Sequence, residues 1–166
     1  MSEQKTFQDL NLSAEILQAL EKKGYGYPTR IQEEAIPPLL EWRDVIAKAP
    51  TGTGKTFAFG IPMIEHIDAE SEALQGLILA PTRELAIQIG DELRGLLTFY
   101  KNIRVAVLYG GQKIDVQLKA LGRKPQIVVA TPGRLMDHYN RHTVRFDGIH
   151  TVVLDEADRM LDMGFF

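Results

Sequence analysis

Five short apolar runs constrain this chain more than any other feature: Val45-Ile46-Ala47, Leu77-Ile78-Leu79-Ala80, Ile103 to Leu108, Ile127-Val128-Val129-Ala130 and Thr151-Val152-Val153-Leu154. They are continuous rather than alternating, the pattern of strands buried on both faces of a parallel sheet. Between them, helical periodicity covers 55–66, 83–97, 112–121 and 133–140. Strand–helix–strand alternation predicts an α/β fold, a parallel sheet sandwiched by helices. Right-handed crossovers put every strand's C-terminal end on one edge, where ligands of such sheets bind. Two helices are expected before the first run. One starts at Ser13 as N-cap, with Ile16, Leu17 and Leu20 as its apolar face, and ends near Gly24. The other starts at Thr29 and runs toward Pro37-Pro38, after a turn over Gly24 to Pro28.

The segments that follow the runs carry the chemistry. Ala49-Pro50-Thr51-Gly52-Thr53-Gly54-Lys55-Thr56 follows the first run and opens a helix, the context a phosphate-binding loop requires. Gly52 and Gly54 permit backbone conformations that turn successive N–H groups inward as an anion nest. The helix N-terminus adds partial positive charge. Lys55 can reach β- and γ-phosphates, and the Thr56 hydroxyl can hold Mg²⁺. The bland alternative is a glycine-rich turn carrying a surface lysine.

Val152-Val153-Leu154-Asp155-Glu156 is an apolar run ending in two carboxylates. Asp155 is a candidate for the Mg²⁺ shell, and Glu156 for orienting or deprotonating an attacking water. Alternatively, Asp155-Glu156-Ala157-Asp158 is a helix start whose acids complement the dipole.

Composition removes other classes. The 166 residues suit one domain. With 45% apolar and 25% charged residues, a disordered tail or collagen-like rod is excluded. The absence of cysteine excludes disulfides, thiolate metal sites and a cysteine nucleophile. No apolar run approaches the roughly 20 residues of a membrane span, and Met1 to Asp9 lacks a signal core; no membrane association and a cytoplasmic location are expected. Charge is uneven. Residues 1–100 carry nine Lys/Arg against 15 Asp/Glu, whereas residues 101–150 carry nine against three. The basic segment suits a phosphate-facing surface, although solvated charge between strands explains it equally simply. His66, His138, His142 and His150 lack metal-ligand spacing and read as structural or surface groups; Trp42 reads as packing.

Asp155-Glu156-Ala157-Asp158 spells DEAD. With it, the chain resembles the amino-terminal RecA-like domain of a bacterial DEAD-box RNA helicase, a P-loop NTPase fold. Gly24-Tyr25-Gly26-Tyr27-Pro28-Thr29-Arg30-Ile31-Gln32 matches the Q motif, preceded by Phe7. Ala49 to Thr56 matches motif I, Pro81-Thr82-Arg83-Glu84-Leu85-Ala86 motif Ia, Gly110-Gly111 the glycine doublet, and Thr131-Pro132-Gly133-Arg134 motif Ib. The resemblance divides the chain into a Q-motif region with leading helices, 1–43, and a RecA-like ATP-binding domain, 44–166.

The resemblance implies ATP and Mg²⁺ as ligands. Pro50, Thr51, Gly52, Thr53, Gly54, Lys55 and Thr56 would cradle the phosphates, and Gln32 would contact the adenine edge. Tyr25 would stack on the ring and Thr29 steady the site; Phe7 would cover the adenine or pack the first helix. The local sequence offers an equal alternative, since Thr29-x-x-Gln32 also fits a helix capping box. Lys55, Thr56, Asp155 and Glu156 would be catalytic, with Asp158 linking to a second RecA-like domain. RNA would be held through its backbone, with little sequence specificity, by Pro81, Thr82, Arg83, Gly110, Gly111, Thr131, Pro132, Gly133 and Arg134. The arginines could instead make internal ion pairs.

The sequence stops at Phe166, before the family's Ser-Ala-Thr motif and second domain. In the family's order, the strand after the DEAD motif separates the DEAD strand from the phosphate-loop strand. The RecA-like domain is therefore expected to be incomplete at its C-terminal end, with exposed sheet edges, one piece of a longer polypeptide. Alone it is expected to bind nucleotide weakly, hydrolyse ATP barely and unwind nothing. Two other classes compete: a P-loop ATPase that does not act on RNA, which has no reason to share the Q motif and Thr131 to Arg134, and a non-catalytic binding module.

Overall fold

The computed structural model describes residues 4–50 and 54–164. It divides into two compact units, Met1–His66 with Gly95–Lys101, and Ile67–Arg94 with Asn102–Phe166.

In the first unit, a 3₁₀ turn at Phe7–Leu10 precedes three helices: α1 (Ala14–Lys22), α2 (Arg30–Leu40) and α3 (Lys55–Glu65). Ser13 caps α1 as expected, its hydroxyl accepting from the Ile16 N–H at 3.3 Å, and Ile16, Ala19 and Leu20 are buried. The same hydroxyl donates to Glu65 Oε1 at 2.6 Å and meets the Tyr100 hydroxyl at 2.9 Å, joining the start of α1 to the end of α3. Burial pushes the Tyr100 phenol up to about 12. α2 continues through Pro37 and Pro38 to Leu40. α3 is apolar almost all round, with Phe57, Ala58, Ile61, Met63 and Ile64 buried.

In the second unit, a parallel sheet holds β1 (Gly76–Leu79), β2 (Val105–Leu108), β3 (Ile127–Ala130) and β4 (Thr151–Leu154) in the order β2-β3-β1-β4. Four of the five apolar runs are these strands. Helices α4 (Arg83–Leu96), α5 (Ile114–Gly122), α6 (Pro132–Asn140) and α7 (Ala157–Asp162) follow them in turn. Leu77, Ala106, Leu108, Val128 and Ala130 form one core with Leu135 of α6 and Val144. On the opposite face α4 runs close to β2: a Cβ on Gly90 would lie 2.5 Å from Val107 Cγ2. β3, central and flanked by two strands, is buried at all four positions.

The fifth run behaves differently. Residues 43–50 carry no regular structure, and Ile46 is 98% exposed. The strand expected over Val45-Ile46-Ala47 does not form. A strand needs a neighbour to pair its N–H and C=O groups, and among the described residues none forms a ladder with this run. At the sheet's edge, β4 leaves Val152 56% and Leu154 44% exposed; among the described residues, no strand pairs with its outer side.

Candidate functional site

Each unit carries part of the predicted chemistry. In the first, Gly54 caps α3 in the left-handed region, at φ +83, so Lys55 and Thr56 open the helix. A Cβ on Gly54 would lie 2.3 Å from Gln32 Nε2. Gln32 is itself buried. Its Oε1 accepts from the Thr29 N–H at 2.9 Å and its Nε2 donates to the Gly54 carbonyl at 3.1 Å. The capping-box alternative is thus realised, and the same amide braces the turn into α3. Pro50 lies in the irregular stretch before this turn. Thr51, Gly52 and Thr53 lie outside the described residues.

Phe7 and Tyr25 come together in a hollow of about 330 Å³ that Leu17, Leu20, Glu21 and Gly24 also line. Phe7 is buried, while Tyr25 is half-exposed and meets Phe57 edge to face, with ring centres 5.5 Å apart. Thr29 and Gln32 are not among the residues lining this hollow. Trp42 packs flat on His66 at 3.6 Å, the packing role expected of it.

In the second unit, Asp155 extends the β1–β4 ladder through its N–H to the Leu79 carbonyl, 2.9 Å, and is buried. Glu156 then adopts φ 53, ψ 50 and caps α7. A non-glycine residue in this region is strained, and here it turns the chain sharply from β4 into α7. Glu156 Oε2 accepts from Arg159 at 3.4 Å, and Asp158 Oδ1 accepts from the Arg159 N–H at 2.9 Å. The helix-start alternative is realised here, with both acids at its beginning. Among the described residues, no group of three or more His, Asp or Glu side chains could hold a metal by itself.

The loops after β1, β2 and β3 form the third element. Thr82 caps α4, its hydroxyl accepting from the Leu85 N–H at 3.2 Å, which puts Pro81 just before α4 and Arg83 at its first residue. The Arg83 guanidinium lies over the Tyr109 ring, 5.3 Å from its centre. Gly110 and Gly111 follow, Gly111 at φ +92. Thr131 caps α6, with Pro132 at its first position and Gly133 next. Arg134 donates through Nη1 to the Gln112 carbonyl at 3.1 Å and to Gln117 Oε1 at 3.2 Å. Its Nε also lies 3.9 Å from Asp137 Oδ2, an internal ion pair of the kind the sequence left open, and its side chain is 17% exposed.

Two residues in this cluster were not candidates from the sequence. Gln117 is buried on the apolar face of α5, and His138 is fully buried on α6. The available signal for Gln117 was its spacing of three and four from Ala120 and Leu121, a polar side chain inside an apolar stripe. His138 Nε2 lies 2.7 Å from Gln117 Oε1, an acceptor only, so Nε2 carries the proton.

Burial, with the Arg134 cation second, holds the His138 imidazole below its ordinary 6.5. The folded state therefore favours neutral His138, while the unfolded chain takes up a proton first on acidification. Stability is complete above the ordinary histidine value and falls as pH drops through the lowered folded value. Urea midpoints at about pH 7.5 and about pH 5.5 should show this loss in the wild type and a smaller one in His138→Gln.

The model of the DEAD/DEAH box helicase family matches residues 29–166. The chain belongs to this family. Over 160 residues it is 52% identical to the DEAD-box ATP-dependent RNA helicase CshA of Geobacillus kaustophilus, covering 96% of this chain and 34% of that protein. It is 55% identical over 159 residues to the ATP-dependent RNA helicase CshA of Limosilactobacillus reuteri, covering 96% and 32%. The crystal structure of a DEAD box protein from the hyperthermophile Methanococcus jannaschii superimposes with a TM-score of 0.90 at 46% identity, covering 97% of this chain and 44% of that one. The fold is therefore the RecA-like α/β fold of DEAD-box proteins. The chain spans about a third of the length of the two CshA relatives.

Proposed function

We propose that this chain is the ATP-binding half of an ATP-dependent RNA helicase, in which ATP binding and hydrolysis drive local RNA unwinding or remodelling of RNA–protein complexes. The observation that carries the reading is the turn at Gly54, which opens α3 on Lys55 and Thr56, in a chain 52% identical to a named ATP-dependent RNA helicase. The α3 N-terminus and Lys55 would bind the phosphates of ATP. The Thr56 hydroxyl and the Asp155 carboxylate are hard oxygen donors of the kind that suits Mg²⁺. Bound Mg²⁺ would neutralise charge on the β- and γ-phosphates. Glu156 would orient the attacking water and take its proton. Asp158 would link to a second RecA-like domain, which would complete the ATP site and the RNA clamp.

On the adenine side, Phe7 and Tyr25 share a hollow of mixed polar and apolar lining, and Thr29 steadies Gln32 through the capping box. The second N–H on Gln32 Nε2 and the second lone pair on Oε1 would serve adenine while the bonds to Gly54 and Thr29 persist. Adenine reading would thereby be tied to the turn at Gly54, and Pro50, Thr51, Gly52 and Thr53 would join Lys55 and Thr56 in binding phosphate. RNA would meet the edge formed by Pro81, Thr82, Arg83, Gly110, Gly111, Thr131, Pro132, Gly133 and Arg134, through helix N-termini and backbone N–H groups that read no base. The cytoplasm and the absence of a membrane partner belong to the same reading; among the described residues no helix is long and apolar enough to cross a membrane.

Titration with fluorescent mant-ATP and mant-GTP tests the nucleotide half. The expected result is Mg²⁺-dependent binding that favours ATP and weakens about tenfold or more in Lys55→Ala. Equal affinity for the two nucleotides would remove the role of Gln32. Absence of nucleotide binding in the wild type would favour the non-catalytic binding module.

A further inference from the structure

Gln117 sits mid-helix on α5 with its side chain 1% exposed. A primary amide has two N–H donors and two acceptor lone pairs, and all four are engaged. Nε2 donates to the Tyr109 carbonyl at 2.8 Å and to Gln112 Oε1 at 3.0 Å. Oε1 accepts from Arg134 Nη1 at 3.2 Å and from His138 Nε2 at 2.7 Å. Its partners belong to two separate stretches of chain. Tyr109 and Gln112 bracket the Gly110-Gly111 turn after β2, and Arg134 and His138 lie on α6 after β3. Arg134 closes the ring by donating to the Gln112 carbonyl.

An apolar residue at 117 would extend the stripe formed with Ala120 and Leu121 without requiring any of these partners. A buried, fully satisfied polar network adds definition of geometry more than stability. The geometry defined here is that of two adjacent strand-end loops. Arg134 Nη1 is committed to both Gln112 and Gln117, which fixes the plane of the guanidinium. His138 secures the amide from the other side: Nε2 donates to Gln117, and Nδ1 pairs with Thr143 Oγ1 at 2.8 Å. Tyr109, whose carbonyl Gln117 holds, also carries the Arg83 guanidinium on its ring. One side chain thus reaches all three loops to which RNA contact is ascribed, two of them directly and the third through Tyr109.

We propose that Gln117 is a positioning residue for RNA engagement, holding Arg134 and the Gly110-Gly111 turn in one mutual arrangement with His138 as its lock. The proposal rests on the RNA reading given above. Gln117 touches no RNA; it acts through the groups it orients. Replacing it should loosen RNA binding while leaving the nucleotide side unaffected.

The test uses this chain with a fluorescein-labelled oligouridylate, read by anisotropy, and mant-ADP as the control ligand. Arg134 Nη1–H exchange, read by NMR, reports positioning without RNA. Gln117→Ala should lower RNA affinity about tenfold or more, with mant-ADP affinity within about twofold of wild type. It should also accelerate exchange at Arg134. Gln117→Glu keeps the acceptor for Arg134 and His138 but turns a carboxylate toward the Tyr109 carbonyl, so an intermediate RNA loss is expected. His138→Gln keeps an N–H donor and should stay near wild type.

Wild-type RNA affinity in a folded Gln117→Ala would overturn the proposal. If that variant does not fold, unchanged RNA affinity in Gln117→Glu overturns it instead. If the wild type binds no RNA at all, the RNA reading fails by itself. Arg134 exchange then decides the positioning claim, which an unchanged rate in Gln117→Ala would defeat.

Discussion

Gly54→Ala is expected to destabilise the first unit by about 2–5 kcal/mol and to weaken mant-ATP binding more than tenfold. Two effects combine. Gly54 holds φ +83 as the cap of α3, where an L side chain is disfavoured by about 1–2 kcal/mol. The added methyl would also lie 2.3 Å from Gln32 Nε2 and 3.2 Å from Thr29 Oγ1. Gln32 is buried and hydrogen-bonded at both ends of its amide, so it cannot swing away without abandoning the Thr29 N–H or the Gly54 carbonyl. Each buried group left unpaired costs about 1–3 kcal/mol. Gly122→Ala supplies the control. Gly122 ends α5, has ordinary φ, and a Cβ there meets nothing within 4 Å. The same chemical change should be neutral or stabilise by about 0.5–1 kcal/mol there. Urea unfolding followed by circular dichroism separates the two, and equal effects at both positions would show that neither the backbone conformation nor Gln32 matters.

The sheet was legible because its strands are buried on both faces and therefore written as unbroken apolar runs. That code is blind to partnership. Val45-Ile46-Ala47 reads like the other four runs, yet a strand exists only where a neighbour supplies the ladder, and the sheet's edge lies at β4. The helices were legible to within a residue or two because their caps are local. Ser13, Thr29 and Thr131 each precede the helix they begin. At Thr29 and Gln32, the local alternative that the motif left open is the one realised, since a capping box needs only residues three apart. Gln117, Gln126 and His138 were not legible as structural hubs. A buried polar side chain interrupts an apolar pattern without announcing its partners, which lie 8, 22 and 21 residues away in Tyr109, Arg104 and Gln117. The positive φ at Glu156 was hidden for the same reason: nothing in the identity of a glutamate marks it as the corner between β4 and α7.

Gln126→Leu is expected to cost about 3–5 kcal/mol, a large share of the roughly 5–15 kcal/mol that holds a typical domain. Gln126 is fully buried at the entrance to β3. Its Oε1 accepts from the Arg104 N–H at 2.9 Å, and its Nε2 donates to the Asn102 carbonyl at 2.7 Å and the Ser71 carbonyl at 3.2 Å. One amide thus ties the approach to β2 and the loop before β1 to the start of β3. Leucine has nearly the same volume, so a packing role alone would survive the change. Gln126→Glu makes the distinction sharper. A carboxylate there keeps the acceptor for Arg104 but faces two carbonyls with no donor to offer. Its pKa in the folded state would be raised by burial and by those carbonyls. The variant should then be more stable below the ordinary glutamate value and lose stability as pH rises through the raised folded value. Chemical unfolding of the two variants across about pH 4 to about pH 8 reads this directly. If Gln126→Glu gains nothing over Gln126→Leu on acidification, the three backbone groups are satisfied by water instead, and the amide is filler rather than a staple.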